Sequence, residues 1–277
     1  MLYEGVMVLY PMAQGVATSL TRTGTGAGEG RFVGLANYQR MLGDRTFWTV
    51  VTNTFEYTAL VVTLALAAGL GMALLMNTAF RGRTVVRGLM TTPWAFPDVP
   101  TAIVFVWMLN PTFGVMNLFA RMLPWVQDSP PWLLDVHLAL ATVVAMTVWK
   151  GFPFYSLVLL AALQGVPAEL YEAARVDGAH AWDRFRHVTF PHVVPTLLLL
   201  AILAFIFSFQ QFTLIWLTTG GGPVRATETL VLLIYEQAFR FYDYSYAAGL
   251  GVIGLVLAVC AAVLFLVVER RATGQVV

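Results

Sequence analysis

The sequence predicts an all-α polytopic membrane protein with six transmembrane helices, and three observations carry this prediction. Of the 277 residues, 58% are hydrophobic and 11% are charged, whereas a soluble domain has about 25% charged residues. Six stretches approach the roughly 20 apolar residues that a helix needs to cross a bilayer. Their apolar residues fill every helix face, without the period-two alternation of barrel strands. Residues 1–277 are therefore expected to form a single transmembrane domain.

The predicted spans follow one another along the chain. They cover about Met1–Leu20, Trp48–Met76, Val86–Leu109, Val136–Leu163, Pro195–Thr218 and Tyr246–Val268. The first is the weakest, because Glu4 and Pro11 interrupt it. It lacks both the basic start and the small-residue cleavage site of a signal peptide, so we expect a short or truncated membrane helix there.

Charge excludes one class of partner and indicates an orientation. With 16 Lys and Arg against 15 Asp and Glu, the net charge is +1, so no long-range field attracts nucleic acid. Arginine is denser in the segments that follow the second, fourth and sixth spans, the last of which ends in Arg270 and Arg271. Because cytoplasmic loops are enriched in Lys and Arg, we expect both termini in the cytoplasm.

The connection Gln164–Pro195 is long, polar and patterned for helix. Pro167 suits the first turn of a helix, where its missing N–H costs nothing. The run Ala168–Asp177 has acidic residues near its start, where the helix dipole favours them. Gly178 is expected to end this helix in a left-handed conformation.

A second short helix is predicted over Ala179–Val188. Pro191 and Pro195 then interrupt the helical pattern before the next span. The connection is therefore expected to form two short helices that meet at a Gly178 corner beneath the membrane.

Several motifs resemble those of a known family. Glu172–Ala179, with the sequence EAARVDGA, resembles the EAA loop of the membrane subunits of binding-protein-dependent ABC importers. Four further segments resemble the carbohydrate-uptake permeases of the maltose and glycerol-phosphate type. They are VGLANY at 33–38, PWAFP at 93–97, WKGFPF at 149–154 and TGGGP at 219–223.

The resemblance implies that residues 172–178 form a coupling helix seated in a groove of a separate cytoplasmic ATPase. The implied ATPase-coupling residues are Glu172, Ala173, Ala174, Asp177 and Gly178. By this resemblance, Glu172 makes a charge-assisted contact with the ATPase, the two alanines allow close packing, and Gly178 permits the corner. Because the sequence has no G-x-x-x-x-G-K-[S/T] motif, ATP and Mg²⁺ are expected on the ATPase, with no cofactor, metal or enzymatic activity in this chain. The alternative is that Glu172 is a solvated helix acid and Gly178 an ordinary helix stop.

The same resemblance implies a set of partners and a location. The chain would be half of a sugar pathway, paired with a second, related permease subunit and with two ATPase subunits. An extracytoplasmic solute-binding protein would contact the outer loops, including Gly220–Pro223. The location would be the cytoplasmic (inner) membrane of a bacterium or archaeon, and the mechanism alternating access.

Polar residues inside membrane spans are costly and are therefore candidates for the solute pathway. The polar candidates are Asn53, Glu56, Asp98, Lys150, Gln210 and Gln211, and the aromatic candidates for stacking on sugar rings are Tyr155 and Trp216. Each has a structural alternative at the interface, at a proline break, by snorkelling or in packing. Since adjacent helical residues point about 100° apart, at most one of the two glutamines is expected to face a cavity squarely.

Three other functions remain open on the sequence alone. An ABC importer permease for a polyamine or an amino acid would share the coupling loop. A secondary transporter would act alone and ought to show an internal repeat. An intramembrane enzyme would need a cluster of acid, base or metal-binding residues.

Overall fold

The computed structural model describes residues 2–22, 30–122 and 128–273, and within them the chain is mostly helical. The helices are α1 Leu2–Ser19, α2 Ala36–Gly43, α3 Arg45–Asn77, α4 Arg83–Ala95, α5 Asp98–Met108, α6 Met116–Ala120, α7 Ala139–Gln164, α8 Ala168–Val176, α9 Ala181–Arg184, α10 Phe190–Phe209, α11 Thr213–Thr218, α12 Leu230–Tyr235 and α13 Tyr244–Thr273. Turns of π-helix occupy Phe185–Thr189, before α10, and Glu236–Arg240, after α12. Strands β1 Thr21–Arg22 and β2 Arg31–Phe32 form a short antiparallel hairpin, with Thr21 opposite Phe32.

The long apolar helices confirm part of the predicted membrane arrangement. Among the described residues, four helices are long and apolar enough to cross a membrane: Arg45–Asn77, Ala139–Gln164, Ala181–Phe209 and Tyr244–Val267. They correspond to the second, fourth, fifth and sixth predicted spans. The first predicted span forms α1, with Pro11 inside it, and the third is divided between α4 and α5.

The division of the third span has a local cause. Phe96 and Pro97 are extended, with ψ of 138° and 150°, and they separate α4, with 13 residues, from α5, with 11. A proline disfavours helical backbone at the residue before it and cannot donate a backbone hydrogen bond. The predicted single span over Val86–Leu109 is therefore two half-helices that meet at Phe96–Pro97.

Helices α3 and α7 run parallel and form the centre of the bundle. Tyr57 of α3 shares a hydrogen bond of 2.8 Å with Thr147 of α7. Further along, a Cβ atom added at Gly69 would lie 3.0 Å from Tyr155 Cβ, so a small residue is needed for the helices to approach this closely. Since both contacts advance in the same direction along the two helices, the C-terminal ends of α3 and α7 lie at the same end of the bundle.

The second half of the predicted two-helix connection differs from the prediction. Gly178 ends the first helix with φ of +77°, as predicted. The second helix, however, continues from Ala181 to Phe209, so the prediction that Pro191 and Pro195 interrupt it was wrong. In the π turn before Pro191, the backbone N–H of Phe190 bonds to an oxygen five residues earlier. This wider turn directly precedes Pro191, which stands in the first turn of α10, where a missing N–H costs little. Pro195 lies within α10.

The close α3–α7 contact can be tested by substitution. Gly69→Val is expected to cost about 1–3 kcal/mol through overpacking, because its side chain would collide with Tyr155 Cβ and with the backbone N of Ser156, 3.2 Å from an added Cβ. The melting temperature of the purified protein in detergent should fall. Gly71→Val is the matched control, since an added Cβ there meets open space among the described residues; equal melting temperatures for both variants would contradict the packing.

Candidate functional site

A cavity of about 510 Å³ lies among α3, α4, α7 and the junction between α10 and α11. We call it the central cavity. Its polar lining residues are Asp98, Thr147, Lys150, Ser208, Gln210, Gln211 and Thr213, and its aromatic lining residues are Trp94, Phe154, Tyr155, Phe207 and Phe212. It therefore brings together two α7 residues, a residue at the broken third span and the two glutamines that the sequence indicated.

A second cavity of about 700 Å³ lies between α5 and α7 and is almost wholly apolar. Its lining includes Val104, Met108 and Met146. A polar solute that leaves water needs new hydrogen-bond partners, and this apolar wall supplies few. The central cavity is therefore the better candidate for a polar ligand.

Lys150 links α7 to the break in the third span. Its Nζ lies 2.9 Å from Asp98 Oδ1 and donates a hydrogen bond of 2.8 Å to the carbonyl oxygen of Phe96. The carboxylate stands in the first turn of α5, where the helix dipole favours an anion. The ammonium group thus partners both a charge and a carbonyl at the break. The lysine side chain is 16% exposed, and it forms this bridge instead of snorkelling to the membrane surface.

Both glutamines are among the lining residues of the central cavity, whereas the sequence predicts that at most one of them faces a cavity squarely. The prediction assumed that the fifth span is helical through both residues. Helix α10 ends at Phe209, and α11 starts only at Thr213. Since the residues between them are not in one regular helix, the 100° rotation of adjacent residues does not apply, and both can contribute to the wall.

Aromatic rings cover another part of the central cavity. Trp94 stacks on Phe154 with 5.7 Å between ring centroids and an interplanar angle of 25°. Phe154 in turn contacts the Tyr155 ring edge-on at 5.5 Å. Tyr155, which the sequence indicated, is therefore part of an aromatic cluster with Trp94 and with Phe154, which sequence reasoning missed.

Three sequence-predicted pathway residues lie outside the central cavity. Asn53 donates hydrogen bonds to the backbone oxygens of Arg225 (2.7 Å) and Glu228 (3.3 Å), so it fastens α3 to the segment before α12. Glu56 is exposed. Trp216 is half-buried and packs against Phe212, one turn earlier in the chain.

The hydrogen bonds of Asn53 lie next to a buried carboxylate, that of Glu228, which sequence reasoning missed. The Glu228 side chain is 4% exposed, and its Oε2 lies 2.6 Å from Arg225 Nη1. Burial raises the pKa of the Glu228 carboxyl, and Arg225 opposes that rise. In the sequence, Glu228 is an ordinary polar residue of a loop, because nothing local shows that the loop folds onto α3.

Helix α8 forms a second candidate region, at the end of the bundle where α3 and α7 terminate. Every residue of α8 is exposed or half-buried, including Glu172, Ala173 and Ala174, and Asp177 after it is exposed. The helix is held by Tyr171, whose hydroxyl lies 3.0 Å from Thr189 Oγ1 in the π turn. It is a surface helix fixed to the start of the long helix 181–209.

The comparisons with known proteins agree with one another. Residues 65–274 match the family described as the inner membrane component of binding-protein-dependent transport systems. The trehalose/maltose transport system permease protein MalF of Thermococcus litoralis is 36% identical over 271 residues, which cover 96% of this chain and 89% of the relative. The sulfoquinovosyl glycerol transport system permease protein SmoG of Agrobacterium fabrum is 33% identical over 266 residues, which cover 96% and 86%.

Solved structures share the fold. A bacterial ABC transporter involved in importing the acidic polysaccharide alginate superimposes with a TM-score of 0.83 at 23% identity, covering 98% of this chain and 92% of that one. The alginate transporter in complex with a periplasmic protein bound to an alginate pentasaccharide gives a TM-score of 0.80 at 22% identity, covering 100% and 93%.

The bridge at Lys150 can be tested by removing its charge. Lys150→Met leaves Asp98 and the Phe96 carbonyl without their partner, and each lost charged hydrogen bond typically costs about 1.5–3 kcal/mol. The melting temperature of the protein in detergent is expected to fall. Lys150→Arg keeps the charge and should retain part of the stability; a Lys150→Met variant as stable as the parent would show that the bridge does not hold the break.

Proposed function

Since the chain belongs to the family of inner membrane components of binding-protein-dependent transport systems, we propose that its central cavity is half of the pathway by which an ATP-driven importer moves a sugar or sugar-like solute. The observation that carries the proposal is the composition of the cavity wall. Amide, hydroxyl and paired charged groups stand beside stacked aromatic rings. The chain itself is a transport subunit, and ATP hydrolysis belongs to a partner.

A sugar fits this wall better than a polyamine does. Its hydroxyls can exchange hydrogen bonds with the amides of Gln210 and Gln211, and the apolar face of its ring can pack on Phe154. A polyamine would require unpaired carboxylates, whereas Asp98, the carboxylate among the described lining residues, is paired with Lys150. The names of the relatives in trehalose/maltose and sulfoquinovosyl glycerol transport point in the same direction.

Helix α8 is proposed as the coupling helix that docks in a groove of a separate ATPase. Glu172 and Ala173 are exposed and Ala174 is half-buried, and the helix ends at the Asp177–Gly178 corner. The long helix that starts at Ala181 has 29 residues and spans about 40 Å at 1.5 Å per residue. It reaches from the coupling helix to Ser208 in the cavity wall. A displacement of α8 can therefore be passed to the cavity by one continuous helix, which supports alternating access.

The membrane arrangement that fits this role has six spans. In addition to the four long helices, we include α1 as the first span and the broken pair α4–α5 as the third, within one transmembrane domain, 1–277. In this proposal both termini and α8 lie on the cytoplasmic side of a bacterial or archaeal inner membrane. The connections at the other end then face outward.

The complete importer needs partners that supply what this chain lacks. We propose a second, related permease subunit for the other half of the pathway, with a heterodimer favoured. Two ATPase subunits would bind ATP and Mg²⁺, and no cofactor is assigned to this chain. A solute-binding protein would deliver the sugar to the outer loops, which include Gly220–Pro223; the alginate transporter bound to its periplasmic protein supports such an arrangement.

The solute site can be tested at the two glutamines. Replacing Gln210 and Gln211 together by Leu removes hydrogen-bond partners that a sugar needs in the cavity, and a lost neutral hydrogen bond costs about 1 kcal/mol. The KM for ATP-dependent sugar uptake in proteoliposomes is expected to rise by roughly tenfold or more. Gln39→Leu, on the exposed face of α2, is the control. An unchanged KM in the double variant would show that the two glutamines do not bind the sugar in the pathway.

The coupling role of α8 can be tested at its corner. Gly178→Val places a β-branched residue at φ of +77°, and left-handed backbone costs a side chain about 1–2 kcal/mol. We expect loss of ATPase subunits on purification and loss of uptake. Gly82→Val is the matched control, because Gly82 also has a positive φ, of +86°, and faces open space among the described residues. Equal recovery of ATPase subunits and equal uptake in the two variants would contradict the assignment of α8 as the coupling helix.

A further inference from the structure

Four aromatic rings form a continuous array that starts in the central cavity. We call Phe212, Trp216, Tyr235 and Phe239 the ring array. Phe212 and Trp216 are stacked, with centroids 5.7 Å apart and an interplanar angle of 15°. The Trp216 and Tyr235 centroids are 4.8 Å apart, and those of Tyr235 and Phe239 are 5.2 Å apart. Each step is comparable with the length of one hexose ring.

The array leads from the cavity towards the end of the bundle opposite α8. Phe212 lines the cavity, whereas Phe239 is 62% exposed. Helix α12 shows the direction of the array. Its first residue, Leu230, lies against Gly254, well inside α13. The segment after the array is near Asp243, which pairs at 2.8 Å with Arg40 of α2. The rings therefore join the cavity to the surface near α2.

Charged groups stand beside the rings. The guanidinium carbon of Arg240 lies 5.2 Å from the centroid of the Trp216 ring, and its Nη1 lies 2.9 Å from Glu236 Oε1. Glu236 is only 13% exposed in its side chain. Arg240 thus lies over part of the Trp216 ring, and the accessible parts of the rings stand next to a hydrogen-bond donor and acceptor. This combination matches the chemistry of a saccharide, which has an apolar ring face and hydroxyls around its rim.

A structural role explains part of these features, because Phe212 and Trp216 pack against a buried apolar cluster that includes Tyr57 and Ile215. A belt of aromatic residues at a membrane surface is common, but a belt runs around the bundle, whereas this array runs inward to a polar cavity. Phe212, Trp216 and Tyr235 are also half-buried and not enclosed. Parts of the rings therefore remain accessible at successive depths.

We propose that the ring array is an outer saccharide-binding track that guides a sugar chain, ring by ring, into the central cavity. The inference rests on the proposed sugar-import function and adds to it a second binding region and a dependence on chain length. In this proposal, Trp216 contacts the sugar outside the central cavity. Arg240 and Glu236 exchange hydrogen bonds with the hydroxyls that pass them. A saccharide with more rings contacts more of the track.

The test uses the complete transporter in proteoliposomes and a panel of radiolabelled mono-, di- and trisaccharides. The variants are Trp216→Leu and Phe239→Leu, and Phe239 is exposed enough for its substitution to leave folding intact. Each is expected to raise the KM of uptake by roughly two- to tenfold, with a larger rise for trisaccharides than for monosaccharides and an unchanged maximal rate. Trp216→Phe should restore part of the lost affinity. Phe241→Leu is the matched control, because Phe241 is 59% exposed and lies next to Arg240 but outside the array.

The outcomes separate the track from the proposed function. If the parent transporter imports saccharides and the leucine variants keep its KM for every chain length, the track is overturned while sugar import stands. If the parent transporter imports none of the saccharides, sugar import fails, and the track fails with it. If the leucine variants instead lose a permease subunit on purification, the rings form a subunit interface and the track is overturned.

Discussion

The break between α4 and α5 is the constraint on which the central cavity depends. A helix interrupted at membrane depth exposes backbone groups that must find partners within the protein. Here Lys150 reaches from α7 to the carbonyl of Phe96 and to the carboxylate of Asp98. The same bridge places a charged pair in a wall that α7 and the α10–α11 junction complete. The Lys150–Asp98 pair, which partners the interrupted backbone, thus also supplies polar groups to the wall of the central cavity.

A single helix, 181–209, connects the surface helix α8 with the central cavity. The sequence instead predicts a separate short helix between them. Helix α8 is fixed by Tyr171 to the π turn that starts the long helix 181–209. That helix ends one residue before the glutamine pair of the cavity. One continuous helix, which includes the π turn and Pro191 and Pro195, therefore connects α8 with the cavity wall.

Much of the fold follows from local sequence signals, and much of the site does not. Hydropathy locates the long helices, and the left-handed conformation of Gly178 follows from its place after a helix. The continuity through Pro191 could not be predicted, because it depends on a π turn in the preceding residues. Similarly, Gln210 and Gln211 both line the cavity where α10 ends at Phe209, a boundary that no glycine or proline marks in the sequence. Asn53 binds a loop that is distant in the sequence, so its partner is set by tertiary folding alone.

The most direct test of the account is to purify the tagged chain from its membrane in mild detergent, identify what co-purifies by mass spectrometry, and measure saccharide uptake after reconstitution. The proposed importer role predicts a second permease subunit and an ATPase in the preparation, with uptake that requires ATP and a solute-binding protein. Recovery of the chain alone, with saccharide uptake that proceeds without ATP, would contradict the account and indicate a self-contained transporter.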